Sequence, residues 1–166
     1  MQVMEQHPQV EEDIVLTESG RNNIEKELDH LVMVERHEIA NRIRDAKDFG
    51  ELTENAEYEA AKNAQAFVEG RILDLKRIIS GARTLSHADV PTDYVGLGST
   101  VSVRDLGYGD DWTLTLVSPY EADPDKDRIS DLSPVGKALF GHRVGESVVV
   151  KTPGGVTSYE ISAITK

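Results

Sequence analysis

Residues 61–82 read AKNAQAFVEGRILDLKRIISGA, and within them Ala61, Ala64, Val68, Ile72, Leu75, Ile79 and Ala82 step by three and four. Apolar residues at that spacing form one stripe of an α-helix over about three heptads. A helix with a single stripe needs a partner to cover it. On the other side of Gly50, Ile24, Leu28, Leu31, Ile39, Ile43 and Ala46 supply a second stripe. Thr17 suits the N-cap of that earlier helix, and Glu18 complements its first turn. Val34 lies just off the stripe and Glu35 takes the position the heptad would fill, so this seam is interrupted. Two helices of about 30 residues joined by a short turn make an antiparallel hairpin roughly 45 Å long at 1.5 Å per residue. The remaining mass of a 166-residue chain cannot cover such an object, so the hairpin is expected to project. Alanines near the turn and larger residues near the base let the helices approach most closely at the tip, Gly50-Glu51-Leu52-Thr53-Glu54-Asn55.

The helical pattern ends at Gly81 and at Ser86 to Pro91, and from about Tyr94 short alternating segments take over. Val101 and Val103 alternate with polar neighbours, as do Trp112, Leu114 and Leu116; Val148 to Lys151 and Thr157 to Ile164 flank a Thr-Pro-Gly-Gly turn. Pro134 to Phe140 reads as one short helix. The expected organisation is α+β: an acidic disordered tail over 1–14, a coiled-coil hairpin over 15–83, a linker over 84–95 and a small α+β domain over 96–166.

Composition narrows the function classes. The chain has no cysteine, which excludes disulfides and thiolate metal sites, and a cytoplasmic protein is the default. No apolar stretch approaches the roughly 18 residues of a membrane span, so no membrane partner is expected. The net charge of −12 is spread over both halves, with 11 Lys and Arg against 18 Asp and Glu in residues 1–83 and 7 against 12 in residues 84–166. Such a chain does not coat nucleic acid through a broad cationic face; a partner must supply the positive charge. The five histidines form no pair at one-turn spacing, which argues against zinc. Gly96-Leu97-Gly98 and Gly107-Tyr108-Gly109 lack the glycine and helix that a nucleotide fingerprint requires.

Glu51 and Glu54, three apart, would face one side of a tight turn and hold a hard cation such as Mg²⁺, which takes one or two carboxylates and keeps water elsewhere. The alternative is that Thr53 caps the second helix, with Glu54 and Glu57 complementing its dipole. Arg42, Arg44, Lys47 and Lys62 stand near the tip, either to meet a phosphate backbone or as exposed charge pairs. Ser133-Pro134-Val135-Gly136 is either a strand-to-helix connection or an exposed apolar contact for a partner.

Taken together, Gly50-Glu51-Leu52-Thr53-Glu54-Asn55-Ala56-Glu57-Tyr58, Ala60-Ala61-Lys62 and Glu69-Gly70-Arg71-Ile72 resemble the bacterial Gre transcript-cleavage factors, the GreA type in particular. Leu16-Thr17 with Gly20 and Glu27-Leu28 resembles the start of their hairpin. Glu121-Ala122-Asp123, Ile129-Ser130, Ser133-Pro134, Leu139 with Gly141, and Thr152-Pro153-Gly154-Gly155 resemble their C-terminal domain, whose fold is similar to FKBP-type isomerases. The resemblance runs from about residue 15 to the end. It implies a monomeric transcription elongation factor that docks on bacterial RNA polymerase and inserts its hairpin into the secondary channel. There Glu51 and Glu54 would share a second Mg²⁺ with the polymerase, none being held stably by the chain alone, and the polymerase would cut backtracked RNA near its 3′ end. By the same resemblance Lys47 and Lys62 would contact RNA or channel walls, and Ser133, Pro134 and Val135 would dock on the polymerase. Two departures stand out: Glu51 where the family usually has Asp, and His37 where it commonly has Pro. The longer Glu51 side chain raises a second reading, a Gre-like regulator that occupies the channel and inhibits. A prolyl isomerase with a helical appendage, which the few aromatics of the chain, Trp112 and Tyr159 among them, argue against, and a hairpin used for self-association are further alternatives.

Overall fold

The computed structural model describes residues 13–48 and 55–166. The chain opens with strand β1 (Val15–Thr17), followed by α1 (Glu18–His30), a π-helical turn over Leu31–Glu35, and α2 (Arg36–Asp48). After the tip come α3 (Ala56–Gly81) and β2 (Arg83–Leu85). The helices run antiparallel, with the side chains of Arg36 and Glu69, and of Glu27 and Arg71, meeting across the pair. Their shared core is Ile24, Leu31, Ile39, Val68, Ile72, Leu75 and Ile78, closed at the base by Leu16.

The interruption in the first seam has a specific cause. Ile24, Leu28 and Leu31 form one heptad and Ile39, Ile43 and Ala46 another, but Leu31 and Ile39 are one residue too far apart for a continuous α-helix. The Arg36 backbone N–H donates to the Leu31 carbonyl five residues back, so the π turn takes up the extra residue. Both apolar sets therefore face α3, and Glu35 leaves the seam. In α3 the expected stripe is present with one difference: Ile78 is buried and Ile79 is half-buried. Near the base Leu16 of β1 joins α1 in covering α3.

β1 and β2 pair in parallel, Val15 with Arg83 and Thr17 with Leu85. Residues 83–85 stand at the expected hairpin–linker boundary, and they form a strand that ties the return of the hairpin to its start. Next follow β3 (Thr100–Asp105), β4 (Asp111–Val117), β5 (Arg128–Ser130), α4 (Pro134–Leu139), β6 (Ser147–Thr152) and β7 (Gly155–Thr165), giving one sheet in the order β5-β4-β3-β7-β6. Only β4 and β5 pair in parallel within that sheet. Alternation puts Val101, Val103, Leu114, Leu116, Val148 and Ile161 on one face, where Leu139 of α4 covers them. The architecture is α+β, a helical hairpin followed by a sheet-rich domain.

Trp112 and Tyr159 pack on this core with ring centroids 6.2 Å apart, and the Trp112 Nε1–H donates to Asp127 Oδ1 at 2.8 Å. Both side chains are half-buried against the sheet. Among the described residues, no helix is long and apolar enough to cross a membrane.

Candidate functional site

At the far end of the hairpin the helices are held close by small side chains, with Ala46 and Ala61 buried between them. Asn55 is the N-cap of α3: its Oδ1 accepts from the Tyr58 N–H at 3.1 Å, while its Nδ2 donates to the Ala46 carbonyl at 2.6 Å. One side chain thus satisfies an orphan donor of α3 and an orphan acceptor of α2. The cap is therefore Asn55 and not Thr53, the alternative the sequence offered; α3 starts at Ala56, with Glu57 and Glu59 in its first turn. The tip carboxylates Glu51 and Glu54 lie in 49–54, outside the described residues.

Of the cations near the tip, Arg42 pairs with Glu57 at 3.1 Å across the helices, and Arg44 donates to Asn41 Oδ1 at 2.8 Å. Arg42 is thereby accounted for as a surface charge pair, whereas the partner of Arg44 is neutral. Lys47 in the last turn of α2 and Lys62 on α3 are both exposed, and Lys62 donates to the neutral Gln65 at 3.0 Å. Among the described residues neither lysine enters an ion pair. Nearer the base the helices are joined by two forked pairs, Arg36 on Glu69 at 2.8 and 2.9 Å and Arg71 on Glu27 at 2.7 and 3.0 Å. The Arg36 hydrogen bond holds the Glu69 carboxyl below the ordinary range and raises the guanidinium in turn.

The second candidate surface is the turn into α4. Ser133 caps this helix, accepting from the Gly136 N–H at 3.0 Å and donating to the Ser130 carbonyl at 2.6 Å. Pro134 follows at the first helical position, exposed, between the exposed apolar side chains of Leu132 and Phe140. Val135 is half-buried against the sheet core. A Cβ on Gly136 would fall 2.0 Å from the Ser130 carbonyl oxygen, so only glycine allows this close approach.

Between the two modules sits a group that sequence reading left without a role. Glu121, its side chain 1% exposed, accepts from the Thr17 N–H at 2.9 Å, from the Thr17 hydroxyl, and from Arg128 Nη2 at 2.8 Å. Thr17 also caps α1 through the Gly20 N–H at 3.1 Å. The carboxylate therefore meets the positive end of α1 and a guanidinium of the sheet domain together. A Cβ on Gly20 would lie 1.7 Å from Glu121 Oε1. The signal for this contact was Gly20 itself, a glycine three residues past a cap in an otherwise good helix.

Comparison with known proteins places these features in context. Residues 14–83 match the family described as transcription elongation factor, N-terminal, and residues 90–166 match transcription elongation factor, GreA/GreB, C-term. The chain is 45% identical over 156 residues to transcription elongation factor GreA of Syntrophomonas wolfei, covering 94% of this chain and 98% of that one. It is 43% identical over 153 residues to GreA of Thermoanaerobacter pseudethanolicus, covering 92% and 98%. Among solved structures, the GreA factor homolog 1 (Gfh1) protein of Thermus thermophilus is 31% identical, with 93% and 99% covered and a TM-score of 0.43.

Proposed function

The chain belongs to the GreA/GreB family of transcription elongation factors, and we propose that it binds bacterial RNA polymerase and stimulates the polymerase's own cleavage of RNA in backtracked complexes. The observation that carries this reading is the construction of the arm. A 26-residue α3 extends about 39 Å at 1.5 Å per residue, and α2 packs along it to the far end. Asn55 ties the two helix ends there, on either side of the six residues 49–54 that carry Glu51 and Glu54. An arm of this reach delivers its tip into a narrow channel of a larger partner.

The donor set suits a magnesium ion shared between two proteins. Two carboxylates are what Mg²⁺ takes from a protein when water and phosphate fill its other positions. The candidate ligands are the tip pair, Glu51 and Glu54, three apart in the sequence. When bound, the ion acidifies a coordinated water and balances charge at a scissile phosphate. Glu51 and Glu54 bind and orient it, and Lys47 and Lys62, exposed on either helix, contact RNA phosphates or the channel wall. Ser133, Pro134 and Val135 form the docking turn, where capping and Gly136 hold an exposed proline and its apolar neighbours in one rigid shape.

The test is RNA shortening in stalled elongation complexes with added protein. The expected result is cleavage by the wild type, abolished by Glu54→Ala or Glu51→Ala with docking nearly intact, and preserved or raised by Glu51→Asp. Slowed elongation with no shortening by the wild type would make the chain a channel-occupying inhibitor and sink this reading.

A further inference from the structure

At the base of the arm, where the parallel strands β4 and β5 end together, lies a cavity of about 370 Å³. Asp13 and Ile14, the first described residues, line it, and Leu97, Pro119 and Leu132 extend its apolar walls. The Asp131 N–H donates to the Val117 carbonyl at 2.9 Å, which sets Ser118 and Asp131 at adjacent strand ends, and both line the same cavity.

Two polar atoms there are incomplete. Ser118 Oγ, in a residue only 6% exposed, and Asp131 Oδ1 are buried without a hydrogen-bond partner among the described residues. Native folds rarely leave such atoms unpaired, and a buried carboxylate oxygen is the costlier of the two. Burial raises the Asp131 carboxyl above its ordinary value of 3.8, against the opposing pull of its own and Leu132's backbone N–H groups. No Lys, Arg or His among the described residues lines this cavity, and its other charged group, Asp13, is also acidic. The cavity therefore suits a cationic N–H donor carried beside apolar side chains.

We propose that the cavity receives the chain's own N-terminal segment, residues 1–12, with the His7 imidazole donating to Asp131 Oδ1 and with Pro8 and Val10 against the apolar walls. The choice of occupant follows from where the described chain begins: Asp13 lines the cavity, so the segment leads directly from it. His7 is six residues from Asp13, within about 20 Å along an extended chain, so reach is no obstacle. It is also the only basic side chain in residues 1–12. Pro8 keeps His7 out of the helical region, which leaves the backbone of the segment free to bond the Ser118 hydroxyl. Glu5, Glu11 and Glu12 carry the same sign as Asp13 and Asp131 and stay at the rim, in solvent. The match to the family begins at residue 14, so this contact is additional to it and holds whether or not the tip stimulates RNA cleavage.

The test is nuclear magnetic resonance on the full chain with labelled histidine and methyl groups. Expected are contacts from the His7 ring to the Leu97 and Leu132 methyls, and a His7 titration midpoint about one unit above the ordinary value of ~6.5. The carboxylates of its own segment, Glu5, Glu11 and Glu12, raise His7 even when it is undocked, and so does Asp13. The deciding result is therefore Asp131→Asn, which is expected to remove the ring contacts and lower the midpoint. A midpoint that Asp131→Asn leaves unchanged, or a wild type without ring contacts, overturns the proposal. His7→Ala gives a second reading that leaves the cavity wall intact: the Ser118 and Leu132 amide signals are expected to move, and unmoved signals overturn the contact. A histidine raised by docking contributes stability below its unfolded value and loses it as the pH rises through the raised one. The thermal midpoint of His7→Ala is therefore expected below that of the wild type at pH 6 and level with it at pH 9; equal midpoints at both overturn the contact. Ring contacts that fade on dilution at constant pH place the segment on a second copy and overturn the intramolecular contact.

Discussion

Replacing Gly20 with alanine sets two opposed effects against each other, and the structure says which wins. Gly20 lies in the first turn of α1 and has no positive φ, so alanine would ordinarily stabilise the helix by roughly 0.5–1 kcal/mol. Here the new methyl carbon would fall 1.7 Å from Glu121 Oε1. The carboxylate must leave, and with it go its bonds to the Thr17 N–H, the Thr17 hydroxyl and Arg128. Breaking a buried ion pair typically costs about 3–5 kcal/mol, because it strands the remaining charge; Arg128 is partly accessible, which places the expected loss near ~3 kcal/mol. In a Glu121→Ala background the obstacle is gone, so the same Gly20→Ala change is expected to reverse sign and stabilise by about 0.5–1 kcal/mol. The assay is urea unfolding of the four chains of the cycle, followed by far-ultraviolet circular dichroism for the hairpin and by the fluorescence of the single tryptophan, Trp112, for the sheet domain. A Gly20→Ala change that is neutral in the wild type, or equally harmful in both backgrounds, would refute the contact as the reason for the glycine.

Asn55→Ala should destabilise the arm by about 2 kcal/mol, the sum of a lost N-cap and an unpaired Ala46 carbonyl; Asn55→Asp, which keeps the cap acceptor but not the donor, should recover about half in the same unfolding assay. Gly136→Ala should lower polymerase affinity while leaving hairpin helicity unchanged, since the added carbon meets the Ser130 carbonyl oxygen at 2.0 Å and must displace the α4 turn; pull-down and circular dichroism on one preparation check both halves. Glu69 titrates in the folded chain below its ordinary value of 4.5 because Arg36 donates to it, so its contribution is complete above pH 4.5 and is lost as the pH falls through the lowered value. Acid unfolding of the arm should therefore be shallower below pH 4.5 in Arg36→Met than in the wild type, and identical curves would show that the pair carries no linkage.

The elements most legible in sequence were those whose period repeats: the α3 seam over three heptads, and the alternating strands around Val101, Leu114 and Val148. Shorter features were hidden for physical reasons. β1 and β2 are three residues each, too short to show a period, and their pairing depends on the hairpin bringing residues 15 and 83 together. Thr53 and Asn55 are both competent caps, and what decides for Asn55 is the Ala46 carbonyl, a partner nine residues away that no local pattern reveals. Glu121 has no periodic signature, and a fully buried glutamate runs against the ordinary preference of its residue type. Glu51 and Glu54 owe their place to the surrounding motif, since spacing alone favoured capping as the account of them.

The π turn at Leu31–Glu35 has a consequence for how such an arm can change length. In an α-helix each added or deleted residue rotates everything beyond it by about 100°, since there are 3.6 residues per turn. A deletion in most of α1 or α2 would swing Ile39, Ile43 and Ala46 away from α3. Within the π turn the surplus residue is already absorbed, so losing one there restores plain α-helical phase and keeps both apolar sets aimed at α3. The arm therefore contains one place where its chain can be shortened by a residue without unzipping the seam.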